Sequence, residues 1–210
     1  MRHDCLMPPP ADITVSPAPP AADGTEERIL DAAIRVLGET PEASMQEVAT
    51  ASGVGRATLY RYFSTRDDLV RAIRLRALRD CREALAPDVL ERGSTREALE
   101  AVIGALLPVL DRYRVLIDAP LPDRSDPEQR ALVEAVERPL LDLIRRGQDG
   151  GELDPRFPAG FAFGVLGGVL RAARAAIAAG EVSPERAHPL AVRALLAGLG
   201  ANGPEVPPCS

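Results

Sequence analysis

The stretch Ser44 to Leu69, reading SMQEVATASGVGRATLYRYFSTRDDL, leaves this chain few ways to fold. Ser44 followed three residues later by Glu47 is a capping box, in which each residue satisfies a free backbone N–H of the other, so a short helix opens there. Val48 and Ala49 fall on one face of that helix, and Gly53 can take the positive φ at which it stops. A second short helix runs from about Gly55 to Phe63, with Val54, Leu59 and Phe63 turned inward. Two short helices joined by a tight turn containing Gly form a helix-turn-helix unit, whose second helix can enter a DNA major groove.

The outward residues of that second helix suit such a role. Arg56, Thr58 and Arg61 are the candidates for reading bases, because Arg can pair bidentately with a guanine edge and Thr can meet a thymine methyl or a base acceptor. Tyr60, Tyr62 and Arg66 are the candidates for phosphates. Arg66 opens the next helix, where a cation is mismatched to the helix dipole and an external phosphate would answer the mismatch.

Composition sets the fold class. Aromatic residues are only 3% of the chain and Trp is absent, so the core has to be aliphatic and Ala-rich, which favours close-packed helices over a sheet. No run of period-2 alternation stands out, and an all-α chain of 210 residues is long enough to bury a substantial core. A net charge of −6 looks wrong for a nucleic-acid binder until it is divided. From Val54 to Arg82 there are eight arginines against three aspartates, a net of +5, so the remainder carries −11. Such asymmetry steers a polyanion to one segment. All 25 basic residues are Arg. The cysteines, Cys5, Cys81 and Cys209, are far apart and there are only two His, which argues against a structural metal or a disulfide framework. No basic and apolar leader of the secretory type is seen, so a cytoplasmic protein without a membrane anchor is expected.

Along the chain, residues 1–24 are Pro-rich and read as a disordered arm. Thr25 is a plausible N-cap for a first helix carrying Ile29, Leu30, Ala33, Ile34 and Leu37, closed by Gly38. Residues 25–70 thus form a three-helix head. Ser64 and Thr65 cap a long helix to about Ala86, whose stripe of Leu69, Ile73, Ala77, Leu78, Cys81 and Leu85 suits a link between the head and a body at 71–200. Ser94 and Glu97 form a second capping box, and Pro108 is expected to break or kink that helix, with Val109 to Ile117 a shorter one. After a Pro-rich loop at 120–123, Asp126 and Pro127 open a helix buried through Leu132, Val136, Leu140, Leu141 and Ile144, interrupted at Pro139 and ended by Gly147, Gly150 and Gly151. Residues 158–179 are rich in Gly and Ala, with Gly160, Gly164 and Gly168 along one face. A membrane span competes there, but Arg171 and Arg174 cut the uncharged run short of the ~20 residues a span needs. Residues 185–199 make a final helix, and 201–210 a loose tail.

The segment Ser44 to Leu69 resembles the DNA-binding signature of the TetR family of bacterial regulators, through Val48-Ala49, Ser52-Gly53-Val54, Thr58-Leu59-Tyr60, Phe63 and Arg66-Asp67-Asp68-Leu69. The likeness extends to Arg28 through Ala33 and to Leu143 through Gln148 with Gly151-Glu152-Leu153. Gly55 departs from the Ser that usually caps the recognition helix, and Arg66 from the usual phosphate-binding Lys. The resemblance implies an N-terminal helix-turn-helix head on a larger helical body, with an effector cavity lined from within about Leu99 to Ile144, where Arg112, Tyr113 and Arg114 are the polar candidates. It also implies homodimerisation through the helices at about 158–179 and 185–199, a double-stranded, near-palindromic operator, an unidentified small-molecule effector and no cofactor.

Two other readings compete. An enzyme would need a nucleophile–base–acid set, a metal cluster or a phosphate-cradling loop, and the sequence offers none. The alternative is a helical protein that sequesters a small molecule or a partner and no longer binds DNA, against which the intact Arg, Thr and Tyr set argues.

Overall fold

A computed structural model of the chain describes residues 24–116, 123 and 125–201. The expected arm before Gly24, the loop at 120–122, the tail after Ala201, Ile117, Cys5 and Cys209 lie outside the described residues. The described residues form helices α1 (Thr25–Glu39), α2 (Met45–Ser52), α3 (Arg56–Tyr62), α4 (Arg66–Ala84), α5 (Pro87–Leu90), α6 (Thr95–Arg112), α7 (Pro127–Asp149), α8 (Ala159–Ala178) and α9 (Pro184–Leu199), with a 3₁₀ turn at Arg114–Leu116.

Side-chain caps start four of the nine described helices. Ser44 and Glu47 form the expected box, the Glu47 amide donating to Ser44 Oγ at 3.3 Å and the Ser44 amide to Glu47 Oε2 at 2.7 Å. Thr65 and Asp68 repeat it at the head of α4, and Ser94 and Glu97 at the head of α6. Asp126 caps α7 with Pro127 in its first turn, and Gly53 ends α2 at φ 69°. The start of α1 is a correction: Thr25 is its first, buried residue, Gly24 is the N-cap, and the helix passes Gly38 to end at Glu39.

Three further expected breaks do not occur. Pro108 lies inside α6, which continues to Arg112. The carbonyl that its missing N–H frees belongs to Gly104, and both residues sit on the exposed face, where water replaces the lost bond. Leu106 and Leu107 are buried on the other side and hold the helix in place. Pro139 likewise lies inside α7 rather than interrupting it. Gly147 is a contact and not a stop: a Cβ there would come within 2.4 Å of Thr95 Cγ2 and 3.0 Å of Leu153 Cδ1. That approach lets Glu152, beyond α7, accept from the Thr95 amide at 2.9 Å and so cap α6 a second time. The buried face of α7 is also shifted, with Val133 and Leu143 inside and Leu132 and Leu141 half-buried.

Two aliphatic cores result. The first joins α1, α2 and α3 through Ile29, Leu37, Val48, Leu59 and Phe63, and takes in Leu69, Ile73 and Ala77 of α4 together with Tyr113. The second joins α6, α7, α8 and α9 through residues such as Ile103, Leu143, Leu166 and Leu195. Helix α4 packs against α1, α6 and α7, so one rigid element touches both cores. The end of α9 is tied to the loop after α7, where the Asp154 amide donates to the Leu199 carbonyl at 2.9 Å.

Candidate DNA interface and effector cavity

Helix α3 is held by its inner face. Leu59 is fully buried and Phe63, its C-cap, nearly so, while Val54 and Tyr62 pack half-buried against the same core. Arg56 and Arg61 are exposed, Tyr60 is 37% exposed and Thr58 is half-buried. The Arg56 guanidinium lies 5.4 Å from the Tyr60 ring centroid and that of Arg61 5.2 Å from Tyr62, contacts that orient the two cations. Gly55 caps α3 without a side-chain bond, in extended backbone.

Arg66 has a partner that the sequence did not reveal. Its Nη1 donates to the Ala43 carbonyl at 2.5 Å and its Nη2 to the Pro41 carbonyl, so the cation at the head of α4 is answered by the loop between α1 and α2. The charge division also changes. Of the arginines of α4, Arg71 pairs with Asp126 at 2.6 Å and Glu128 at 3.3 Å, Arg76 with Glu27 and Asp31, and Arg79 with Glu128. The positive charge offered outward near α3 is therefore mainly that of Arg56 and Arg61.

A cavity of about 350 Å³ opens between α4, α6, α7 and α8. Its walls are aliphatic and aromatic, among them Leu78, Leu106, Leu110, Val136, Leu140 and Phe163. Of the three polar residues expected there, only Tyr113 lines it. Tyr113 is 3% exposed, and its hydroxyl donates to Asp80 Oδ2 of α4 at 2.6 Å. Burial first, and then that bond, hold its phenol above the usual tyrosine range. Arg112 and Arg114 are corrections. Arg112 turns outward to Asp31 and Asp80, at 3.3 and 3.4 Å, and Arg114 donates to the Gly38 carbonyl at 3.0 Å. Three successive residues at a helix end point in three directions, so adjacency in sequence did not place them in one pocket.

The cavity also reaches further than the segment 99–144. Arg74, Leu78 and Cys81 of α4 and Phe163, Leu166, Arg171 and Arg174 of α8 line it. Burial, followed by the nearby Asp80, pushes the Cys81 thiol up to about 11, which leaves it inert at neutral pH. Among the described residues, no group of three or more His, Cys, Asp or Glu is placed to hold a metal ion.

Residues 29–73 match the family model described as bacterial regulatory proteins, tetR family. The repressor LfrR of Mycolicibacterium smegmatis is 30% identical over 157 residues, which are 72% of this chain and 78% of LfrR. The chain belongs to the TetR family. NfxB, a transcriptional regulator of Pseudomonas aeruginosa, is 29% identical over 60% of this chain and 68% of its own length. The crystal structure of LfrR in complex with proflavine superposes with a TM-score of 0.68 at 25% identity, covering 88% of this chain and 99% of that one. As a TetR-family member the chain is a DNA-binding transcriptional regulator and not an enzyme. Helix α8 is long and apolar enough to cross a membrane by length and composition, yet it packs against α6, α7 and α9.

Proposed function

We propose that the chain is a homodimeric repressor that leaves a near-palindromic operator when a small molecule fills the cavity beside Tyr113. The observation that carries the DNA half is the outer face of α3, where Arg56 and Arg61 stand exposed on a helix anchored by buried Leu59. In this reading Arg56, Thr58 and Arg61 contact bases. Tyr60 and Tyr62 contact phosphates, while Arg66 fixes the loop between α1 and α2 beside them.

The outer faces of α8 and α9 support dimerisation. Phe161 is 57% and Leu190 47% exposed, and a groove between the two helices is lined by Val169, Ala172, Ala176, Val182, Leu190 and Ala194. A Cβ added at Gly160, Gly164 or Gly168 would meet no atom within 4 Å, so a partner's helices could approach closely there. Two α3 helices related by a two-fold axis would read half-sites about one helical turn, ~34–36 Å, or a multiple apart. The cavity supports the effector half, as does LfrR, crystallised with proflavine. An effector displaces the equilibrium only by its preference for the non-binding arrangement.

Selection from random duplexes, followed by salt-dependent binding assays, tests the reading. Arg56→Ala should relax preference at one operator position and cost about 1–3 kcal/mol there. An unaltered sequence preference in that variant would remove Arg56 from base readout, and a chain that binds no duplex would end the proposal.

A further inference from the structure

Three arginines stand around the cavity, and no carboxylate among the described residues lines it. Arg74 comes from α4. Arg171 and Arg174, one turn apart on α8, continue the stripe of Phe163, Leu166, Gly167 and Leu170 that faces the hollow. The Arg171 guanidinium lies beside Gly167, where a Cβ would sit at an ordinary contact distance of 3.5 Å from its Nη1. Arg171 and Arg174 have no ion pair or hydrogen bond among the described residues. Arg74 is already engaged, donating to Gln129 Oε1 at 3.4 Å, and burial holds its guanidinium below the ordinary value.

Arg171 is exposed and Arg174 half-buried, and a guanidinium keeps its proton, so the hollow carries a fixed positive charge that disfavours a cationic ligand. An anionic head would offset that charge and could accept two parallel N–H bonds from one guanidinium, while an apolar body fills the walls. From this we infer that the cavity takes an anionic amphiphile, a compact apolar body carrying one carboxylate or sulfate-like head that Arg171 and Arg174 hold, with Arg74 opposite. This rests on the reading of the cavity as the effector site and adds the charge class of the effector.

The test uses the full chain and calorimetric titration with probes of one tail and different heads: decanoate, decyl sulfate, decanol and decyltrimethylammonium, all below their micelle concentrations. At least one of the two anions should bind tenfold or more tighter than decanol and than the ammonium, and the tighter anion identifies the head. The same anion should release the protein from its selected duplex. In the double variant Arg171→Gln, Arg174→Gln, anion affinity should fall to that of decanol, while decanol binding stays unchanged and so reports an intact cavity. Equal binding of all heads, preference for the ammonium, or a double variant that keeps the anion preference overturns the charge assignment and leaves the cavity reading standing. If no probe binds and none releases DNA, the cavity reading itself fails and takes this inference with it.

Discussion

Tyr113 is where the cavity and the head core meet, and removing one oxygen atom tests what that junction does. The ring lines the cavity, belongs to the head core and is 3% exposed, so Tyr113→Phe keeps the shape and opens no void. What disappears is the 2.6 Å bond to Asp80 Oδ2. A hydrogen bond to a charged group contributes about 1.5–3 kcal/mol net. Asp80 keeps Arg112 at 3.4 Å, and its side chain is 27% exposed, so water and that arginine replace part of the loss. The expected cost is therefore at the lower end, about 1.5 kcal/mol, which at an m-value of roughly 2 kcal/mol/M lowers the urea midpoint by about 0.7 M. Protein concentration has to be matched, since dimers gain stability with concentration. In an Asp80→Ala background the same substitution should cost less than about 0.5 kcal/mol, because the acceptor is already gone. Raising the pH adds a check of sign. The folded phenol titrates above its unfolded value, so the stability this group contributes is complete below about pH 10 and is lost as pH climbs toward the folded value. The gap between wild type and the Phe variant should narrow over that range. An equal cost in both backgrounds would refute the assignment of the Tyr113–Asp80 bond as the coupling between α4 and the end of α6.

Gly147→Ala should destabilise the body by about 1 kcal/mol, the overpacking of about 1–3 kcal/mol against Thr95 and Leu153 exceeding a helix-propensity gain of about 1 kcal/mol, and Thr95→Ser should restore part of it in thermal unfolding. Asp126 is held well below the usual carboxylate range, first by Arg71 and then by Gln129, so its contribution is present above about pH 4 and is lost as pH falls through the folded value. Asp126→Asn keeps an N-cap, and its unfolding free energy should depend less steeply on pH below 4 than that of the wild type, for which acid titration by circular dichroism is the measure. In a Cys5→Ser, Cys209→Ser protein, Cys81 with its thiol near 11 should react with iodoacetamide about a hundredfold more slowly at neutral pH than an exposed thiol, and a cavity ligand should slow it further.

What could be read from the sequence was chemistry settled within one helical turn. The boxes at Ser44 and Ser94, the cap and proline at Asp126 and Pro127, and the turn at Gly53 all involve neighbours in the chain, and each stands where expected. Leu59 and Phe63 were legible as an inner face because a helix repeats every 3.6 residues. The failures came where solvent or a distant element decides. Pro108 is tolerated because its lost bond faces water, and Gly147 is small because Thr95 arrives from another helix. Arg66 finds carbonyls more than twenty residues upstream. The cavity arginines carried one usable signal, a pair of cations that continues the inward stripe of an otherwise Ala- and Gly-rich helix, but only packing shows which wall they occupy.

The pairing of Arg71, Arg76 and Arg79 with carboxylates of α1 and of the start of α7 has a consequence for how the regulator searches a genome. A phosphate backbone meeting the head finds few loose cations, so few condensed ions are set free per subunit and the grip on arbitrary sequence is light. Sliding off a wrong site is then fast, and on the proposed reading discrimination falls to the handful of side chains on α3. Any rearrangement that draws α7 away from α4 would release Arg71 and Arg79 from Asp126 and Glu128 and change the charge of the head without touching α3.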